Sequence, residues 1–392
     1  MTGAAGAYPQ ASLRLGVLTL AHALGTLSIA SVLVLAPALQ DAFALNQTRF
    51  GLMVSCYYAS QFLLAIPVGF LIDRIGVRRG LLLSHVLGAT ALALLSLAQG
   101  LGQACLALAL MGVAYSLLNP ATSKGVFDWM PLPRRGMGMG IKQTGVPAGA
   151  LLAAGLAALA VGLLDWRATM QVGAGLIAAG ALTALPLPAS PTAAGDRRNL
   201  LGDARALLGN RRLHLIGLSN GIYNIGQIGL WSYVTLFLRE ALQAGAPMAS
   251  LGFGAMQLFS AFGRIGWGRA SDRYLRGRRW PAAVAIGCLA ALGFVLLALP
   301  IGLGPALVVI ALLGFTIGGY PGLMQAMAVE SVEPSRAASA IGYNMLLVPA
   351  GAMIAPVLVG AMIDLTGAFF AGWLLLAGLV LAGGLLMLRA KD

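Results

Sequence analysis

The sequence predicts an all-α membrane protein in which twelve transmembrane helices form two pseudo-symmetric six-helix bundles. Three observations carry this prediction. Of 392 residues, 59% are apolar and only 9% charged, whereas about a quarter carry charge in ordinary soluble domains. Apolar runs recur along the whole chain, each matching the roughly 20 residues that cross the hydrocarbon as a helix, and the short alternating segments of a membrane barrel are absent. The chain also repeats itself at an interval of about 200 residues. Gly69-x-x-x-Asp73-Arg74, closed by Arg78-Arg79, returns as Gly268-x-x-x-Asp272-Arg273, closed by Arg278-Arg279. Gly140-Ile141-Lys142 through Pro147-Ala148-Gly149 returns as Gly342-Tyr343-Asn344 through Pro349-Ala350-Gly351.

The spans of the first half fall at about 13–37, 49–71, 80–99, 104–127, 137–163 and 167–187. Those of the second fall at about 212–240, 248–270, 281–300, 305–330, 337–364 and 367–389. Residues 1–12 read as a disordered N-terminus ahead of the first run. That run, preceded by Arg14 and followed by Ala36-Pro37-Ala38, resembles a signal peptide, but as the counterpart of the seventh run it is kept as a span. The second and eighth runs end at the Asp-Arg pairs of the repeat. The fourth ends at Asp128 and the tenth at its counterpart Glu330. Pro147 and Pro349 lie well inside the fifth and eleventh runs, where a missing N–H bends a helix. Pro186-Leu187-Pro188 and the polar stretch to Asn210 break the pattern as a linker, 188–211. The domains are therefore 13–187 and 212–392.

Composition narrows the function classes. The 53 glycines suit close helix packing in lipid, where apolar burial gives no preference. Cys56, Cys105 and Cys288 sit in apolar runs without metal-ligand spacing and read as small core residues, with no metal site. The net charge of +13 does not form the basic, aromatic-interleaved patch of a nucleic-acid binder. Its arginines instead cluster in alternate loops: Arg74, Arg78 and Arg79; Arg134 and Arg135; Arg197, Arg198, Arg205, Arg211 and Arg212; Arg273, Arg276, Arg278 and Arg279; and Arg336. The opposite loops offer Arg49, Arg167 and Arg239. The positive-inside rule makes the first set cytoplasmic and puts both termini there. No nucleophile with a base, and no metal cluster, points to an enzyme.

The loop Gly69-x-x-x-Asp73-Arg74-x-Gly76-x-Arg78-Arg79, its degenerate second copy, and Asn119-Pro120 through Pro133-Arg134-Arg135-Gly136 resemble the signature segments of the major facilitator superfamily. The resemblance covers the whole chain. It implies alternating access between two six-helix bundles and no cofactor; the expected location is a cell inner membrane and the expected partner a small-molecule substrate, with a monomer expected because one chain already contains both halves. It also implies that Asp73, Arg74, Arg78, Arg79, Asp128, Asp272, Arg273, Arg278 and Glu330, with Gly69 and Gly268, latch the cytoplasmic side in the outward-open state. The alternative is that they only anchor helix ends at the interface. Leu275 replaces the inner glycine of the second copy, which implies a looser latch there.

Cargo chemistry comes from polar groups inside the membrane, because a charge there costs about 2.5 kcal/mol or more. Three cations qualify. Lys124 and Lys142 flank residue 133 symmetrically, roughly 10 Å above the cytoplasmic edge, and Arg264 lies about 12 Å above Asp272. An anion between the halves would bridge them, with Arg264 as the better anchor because a guanidinium can hold a carboxylate with two bonds. Gly263-Arg264-x-x-x-Gly268 also resembles the monocarboxylate and oxalate branches of the superfamily, which implies carboxylate binding for Arg264 alone. Lys124 has the rival reading of an i,i+4 pair with Asp128, and Lys142 that of snorkelling to the edge. His22 is either a coupling group or a satisfied core histidine. His85 and His214 read as interfacial.

Tyr57, Gln61, Asn119, Gln143, Asn220, Tyr223, Asn224, Gln227, Tyr320, Gln325 and Asn344 could orient a ligand without fixed charge. Asn220, Asn224 and Gln227 share one face of the seventh run. No acid lies in mid-span. The sequence therefore predicts a secondary transporter of a small organic anion, expected to be a carboxylate, with a proton or counter-anion as the open coupling question. The alternatives are an exporter of amphipathic drugs or metabolites and a non-transporting membrane sensor or assembly partner.

Overall fold

Polar caps and prolines start several of the helices that the sequence predicts. In the computed structural model, which describes residues 10–131, 134–188, 209–333 and 337–390, the described regular structure is helical. The side chains of Asn46, Asp165 and Asn210 accept the backbone N–H groups of Arg49, Ala168 and Leu213 at 2.9, 2.7 and 3.0 Å, satisfying donors that a helix start leaves without partners.

The first half comprises α1 (Ala11–Val34), α2 (Ala36–Phe43), α3 (Gln47–Leu97), α4 (Leu101–Trp129), α5 (Arg135–Gln143), α6 (Gly145–Ala160) and α7 (Trp166–Ala184). The second comprises α8 (Arg211–Leu236), continued by one π-turn at Phe237–Ala241, then α9 (Ala246–Tyr274), α10 (Trp280–Ala298), α11 (Leu303–Thr316), α12 (Pro321–Glu330), α13 (Ala337–Thr366) and α14 (Phe369–Leu386). Eight stretches among the described residues are long and apolar enough to cross a membrane. Of the N-terminus 1–12 expected to be disordered, residues 1–9 lie outside the described residues, as do most of the linker (189–208) and the side chain of Asn344, whereas Ala11 and Ser12 already belong to α1.

The breaks differ from the sequence reading in instructive ways. The second and third runs join as α3, which is helical up to and after Gly76, where φ is 79° and ψ 172°; glycine tolerates that region without steric cost. In the second copy Leu275 is an ordinary residue at φ −105°, and the left-handed turn passes to Arg276 and Gly277, at φ 54° and 78°. The fifth run splits at Thr144 into α5 and α6, three residues before Pro147, whose missing N–H leaves the Gln143 carbonyl without its helical partner. The tenth run splits between α11 and α12 just before Pro321, a break the sequence reading missed. By contrast α13 runs uninterrupted through Pro349 and Pro356. Cys288 is exposed and Cys56 and Cys105 are half-buried, so none is a fully enclosed core residue. His85 is buried against the Leu81 carbonyl at 2.7 Å rather than interfacial.

Two seams join the halves, α3 on α13 and α6 on α9. Glycine sets their closeness: a Cβ on Gly51 would fall on the Pro356 carbonyl, and one on Gly254 would press Ala154 at 3.2 Å. One end of the molecule carries the arginine clusters (the basic end). The other carries Asp41, Glu240 and Asp364 (the acidic end). Every described hydrogen bond between the halves lies between the cavity and the acidic end. Asp364 accepts from Gln47 N (3.1 Å), Thr48 N (2.8 Å) and Thr48 Oγ1 (2.5 Å). Gln47 Nε2 donates to Glu240 (2.9 Å), Tyr233 OH to the Gln47 carbonyl (2.8 Å) and Ser55 Oγ to the Met353 carbonyl (2.6 Å).

At the basic end the ion pairs recorded among the described residues run within each half. Lys124 meets Asp128 at 3.6 Å. Arg279, rather than Arg278, holds both oxygens of Glu330 at 2.7 and 2.9 Å and reaches Asp272 at 3.5 Å. Asp73, Arg74, Arg78, Arg79 and Arg273 are exposed. Open space surrounds the Cβ positions of Gly69 and Gly268.

Candidate functional site

The helix breaks and the polar faces converge on one cavity of about 220 Å³ at the junction of the halves. From the first half α1 contributes His22 and Thr26, α3 Tyr57, Tyr58 and Gln61, α4 Tyr115 and Asn119, and the α5–α6 break Gln143 and Val146. From the second, α8 contributes Asn220, Asn224, Gln227, Ile228 and Trp231, α9 Arg264, the α11–α12 break Tyr320 and Pro321, α12 Gln325, and α13 Val348, Pro349 and Ala352.

The amide face of α8 is inward, as its spacing predicts. Asn224 Nδ2 donates to Tyr320 OH at 3.1 Å and to Gln227 Oε1 at 3.5 Å. Gln227 Nε2 donates to the Gly318 carbonyl at 3.3 Å, which also accepts Ser260 Oγ at 2.8 Å. That carbonyl is available because the helix unwinds before Pro321. Opposite, His22 Nε2 pairs with Tyr115 OH at 3.1 Å and His22 Nδ1 with Thr122 Oγ1 at 3.4 Å.

The three cations separate. Arg264 is half-buried on the cavity wall, and its Nε is a buried donor without a partner. Lys142 is 0% exposed but is not on the wall; its ammonium donates to Asn119 Oδ1 (2.6 Å), Ser123 Oγ (3.1 Å) and Thr122 Oγ1 (3.3 Å). Three neutral acceptors match its three donors, so it touches the cavity only through Asn119. Lys124, paired with Asp128, is also absent from the wall. Two further wall atoms are buried without partners, Gln61 Nε2 and Asn224 Oδ1. No carboxylate is among the lining residues, and no cluster of His, Cys, Asp or Glu among the described residues could hold a metal ion.

Three of the wall residues that sequence reasoning missed sit one turn from those it named. Thr26 follows His22 by four residues, Tyr115 precedes Asn119 by four and Trp231 follows Gln227 by four. Extending each polar face by one i,i+4 step would have found them.

A family model described as Major Facilitator Superfamily matches residues 18–343 and 216–392. The chain is 32% identical over 137 residues to an uncharacterized transporter, YybO, of Bacillus subtilis, covering 35% of this chain and 32% of that protein. It is 25% identical over 153 residues to the galacturonate transporter of Dickeya chrysanthemi, covering 39% of this chain and 44% of the relative. The chain thus spans less than half the length of these curated relatives. Among solved structures, a bacterial homologue of the human lysosomal transporter Spinster, in an inward-facing unoccupied conformation, superposes with TM-score 0.78 at 17% identity, covering 98% of this chain and 96% of that one. The nucleoside transporter NupG gives TM-score 0.79 at 15% identity, covering 97% and 100%. These two likenesses concern the fold.

Proposed function

The chain belongs to the major facilitator superfamily, and from that membership we propose that it is a secondary transporter which moves a small organic anion by alternating access. One observation carries the anionic reading. Arg264 brings a guanidinium with a buried, unpartnered Nε to a cavity whose wall holds no carboxylate. A cation at membrane depth with no carboxylate on the cavity wall beside it is costly, and a carboxylate offers it both charge and paired hydrogen bonds. The name of the galacturonate transporter, a partial relative, supports the same class.

The mechanism follows from which contacts join the halves. With the basic end taken as cytoplasmic, the ties through Gln47, Thr48 and Asp364 close the outer side, while the described ion pairs of the inner side stay within each half. This is an inward-facing arrangement of two rocking domains, 13–187 and 212–392. Anion binding at Arg264 would draw the polar groups of the first half, Gln61, Asn119 and Gln143, toward the second. The exposed cluster at Asp73, Arg74, Arg78 and Arg79 is then free to latch the inner side in the outward-open state. Both termini lie on the cytoplasmic face of the inner membrane, and one chain suffices for one pathway.

The test is uptake in proteoliposomes of a panel of radiolabelled carboxylates by wild type and Arg264→Gln. The reading predicts uptake of at least one carboxylate, competed by carboxylates and lost in the variant. Undiminished uptake by a folded variant would remove Arg264 as the anchor. A second reading, export of amphipathic compounds, is favoured by the aromatic and apolar part of the wall around Tyr57, Ile228 and Trp231. Competition by lipophilic cations instead of carboxylates would select it.

A further inference from the structure

The cavity wall is graded along the membrane normal, and the gradient says what kind of body the anion carries. At 1.5 Å per residue along each helix from its basic end, Gln325 lies at about 8 Å, Gln143 at about 12 Å and Arg264 at about 15 Å. By the same measure Tyr115 lies at about 21 Å, Ile29 at about 27 Å and Trp231 at about 30 Å. Arg264 with Gln143 and Gln325 therefore forms a floor, the amides of Gln61, Asn224 and Gln227 lie level with Tyr115 at about 20–24 Å, and Ile29 and Trp231 form a roof above them.

The aromatic wall is rigid. Tyr57 stands edge-to-face with Tyr58 at 4.8 Å and tilted against Tyr115 at 5.9 Å, spacings at which aromatic pairs attract.

Several of the wall's polar groups are committed to neighbouring protein groups. Tyr115 is taken by His22, Tyr320 by Asn224, Gln227 by Gly318, and Asn119 Oδ1 by Lys142. Among the lining residues beyond the Arg264 layer, Gln61 Nε2 and Asn224 Oδ1 are buried and left unpaired. A polyhydroxylated acid would bring several hydroxyls into this space and leave most without partners, each at a desolvation cost. An apolar ring loses nothing there and gains contact with the aromatic faces.

Resting on the anion reading above, we propose that the preferred substrate is a monocarboxylate with a compact apolar, ring-bearing body, its carboxylate at Arg264 and its ring between Tyr115 and Trp231. This differs from the sugar acid in the partial relative's name.

The experiment is a thermal-shift titration of the purified wild-type protein with sodium benzoate, sodium cyclohexanecarboxylate, benzyl alcohol and sodium D-galacturonate. Benzoate and cyclohexanecarboxylate should reach half-maximal stabilisation at concentrations about tenfold or more below D-galacturonate, with benzyl alcohol ineffective. Trp231→Ala should raise the benzoate half-point about tenfold while leaving that of acetate unchanged. D-galacturonate acting at or below the benzoate concentration would overturn the apolar body while leaving the anion reading standing. Benzyl alcohol matching benzoate, or no carboxylate stabilising the protein, would overturn both.

Discussion

Removing the Asp364 carboxylate should loosen the acidic end without unfolding either half. Asp364, near the end of α13, supplies the other half with acceptors for the first backbone donors of α3, at 3.1 and 2.8 Å, and for the Thr48 hydroxyl. It acts as a helix cap donated across the interface. A lost capping side chain costs about 0.5–2 kcal/mol, and bonds to an ionised acceptor about 1.5–3 kcal/mol. Because Asp364 is exposed, the lower part of that span applies, about 1–2 kcal/mol, which shifts a two-state equilibrium about 5–30-fold. Ser55, buried at the α3–α13 seam, is a suitable reporter once Cys56, Cys105 and Cys288 are replaced by serine. In that background Ser55→Cys should react with a membrane-impermeant maleimide about 5–30-fold faster when Asp364→Ala is added. Asp165→Ala, which removes a cap within one half, should leave the labelling rate unchanged. If Asp364→Ala also leaves it unchanged, the clasp does not hold this end closed.

Two further outcomes follow from the packing. Gly149→Ala should lower the melting temperature, because its Cβ falls on the Ala23 backbone between α1 and α6 and overpacking costs about 1–3 kcal/mol; Gly69→Ala, in open space, should not, and differential scanning fluorimetry separates them. Lys142→Met should weaken anion binding less than about tenfold and Arg264→Gln more than about tenfold, read by titration of a transported carboxylate, since Lys142 is spent on Asn119, Thr122 and Ser123.

Much of this architecture is legible in the sequence because a bilayer forces it. Spans must be long, apolar and helical, so their order could be read, and the amide spacing on α8 could be assigned to one face. The depth of Lys142 and Arg264 was equally readable, but their fates were not. Depth follows from counting residues, whereas facing the cavity depends on how α4 and α5 pack, and that packing turns Lys142 onto Asn119. The break before Pro321 was overlooked because the apolar run continues through it. The clasp at Asp364 joins residues 316 and 317 positions apart, beyond any local pattern, and the switch from Arg278 to Arg279 depends on a turn that Gly277 relocates. Rings such as Tyr115 and Trp231 read as ordinary core until the amides one turn away are known to face a cavity.

The central claim is that Arg264 holds the anion inside the cavity between the halves. A structure of the protein with 4-bromobenzoate, located by the bromine signal, tests it most directly. The account predicts the carboxylate within hydrogen-bonding distance of the Arg264 guanidinium and the bromine toward Trp231. A carboxylate held by Lys142, or a bromine signal confined to sites outside the cavity, would contradict it.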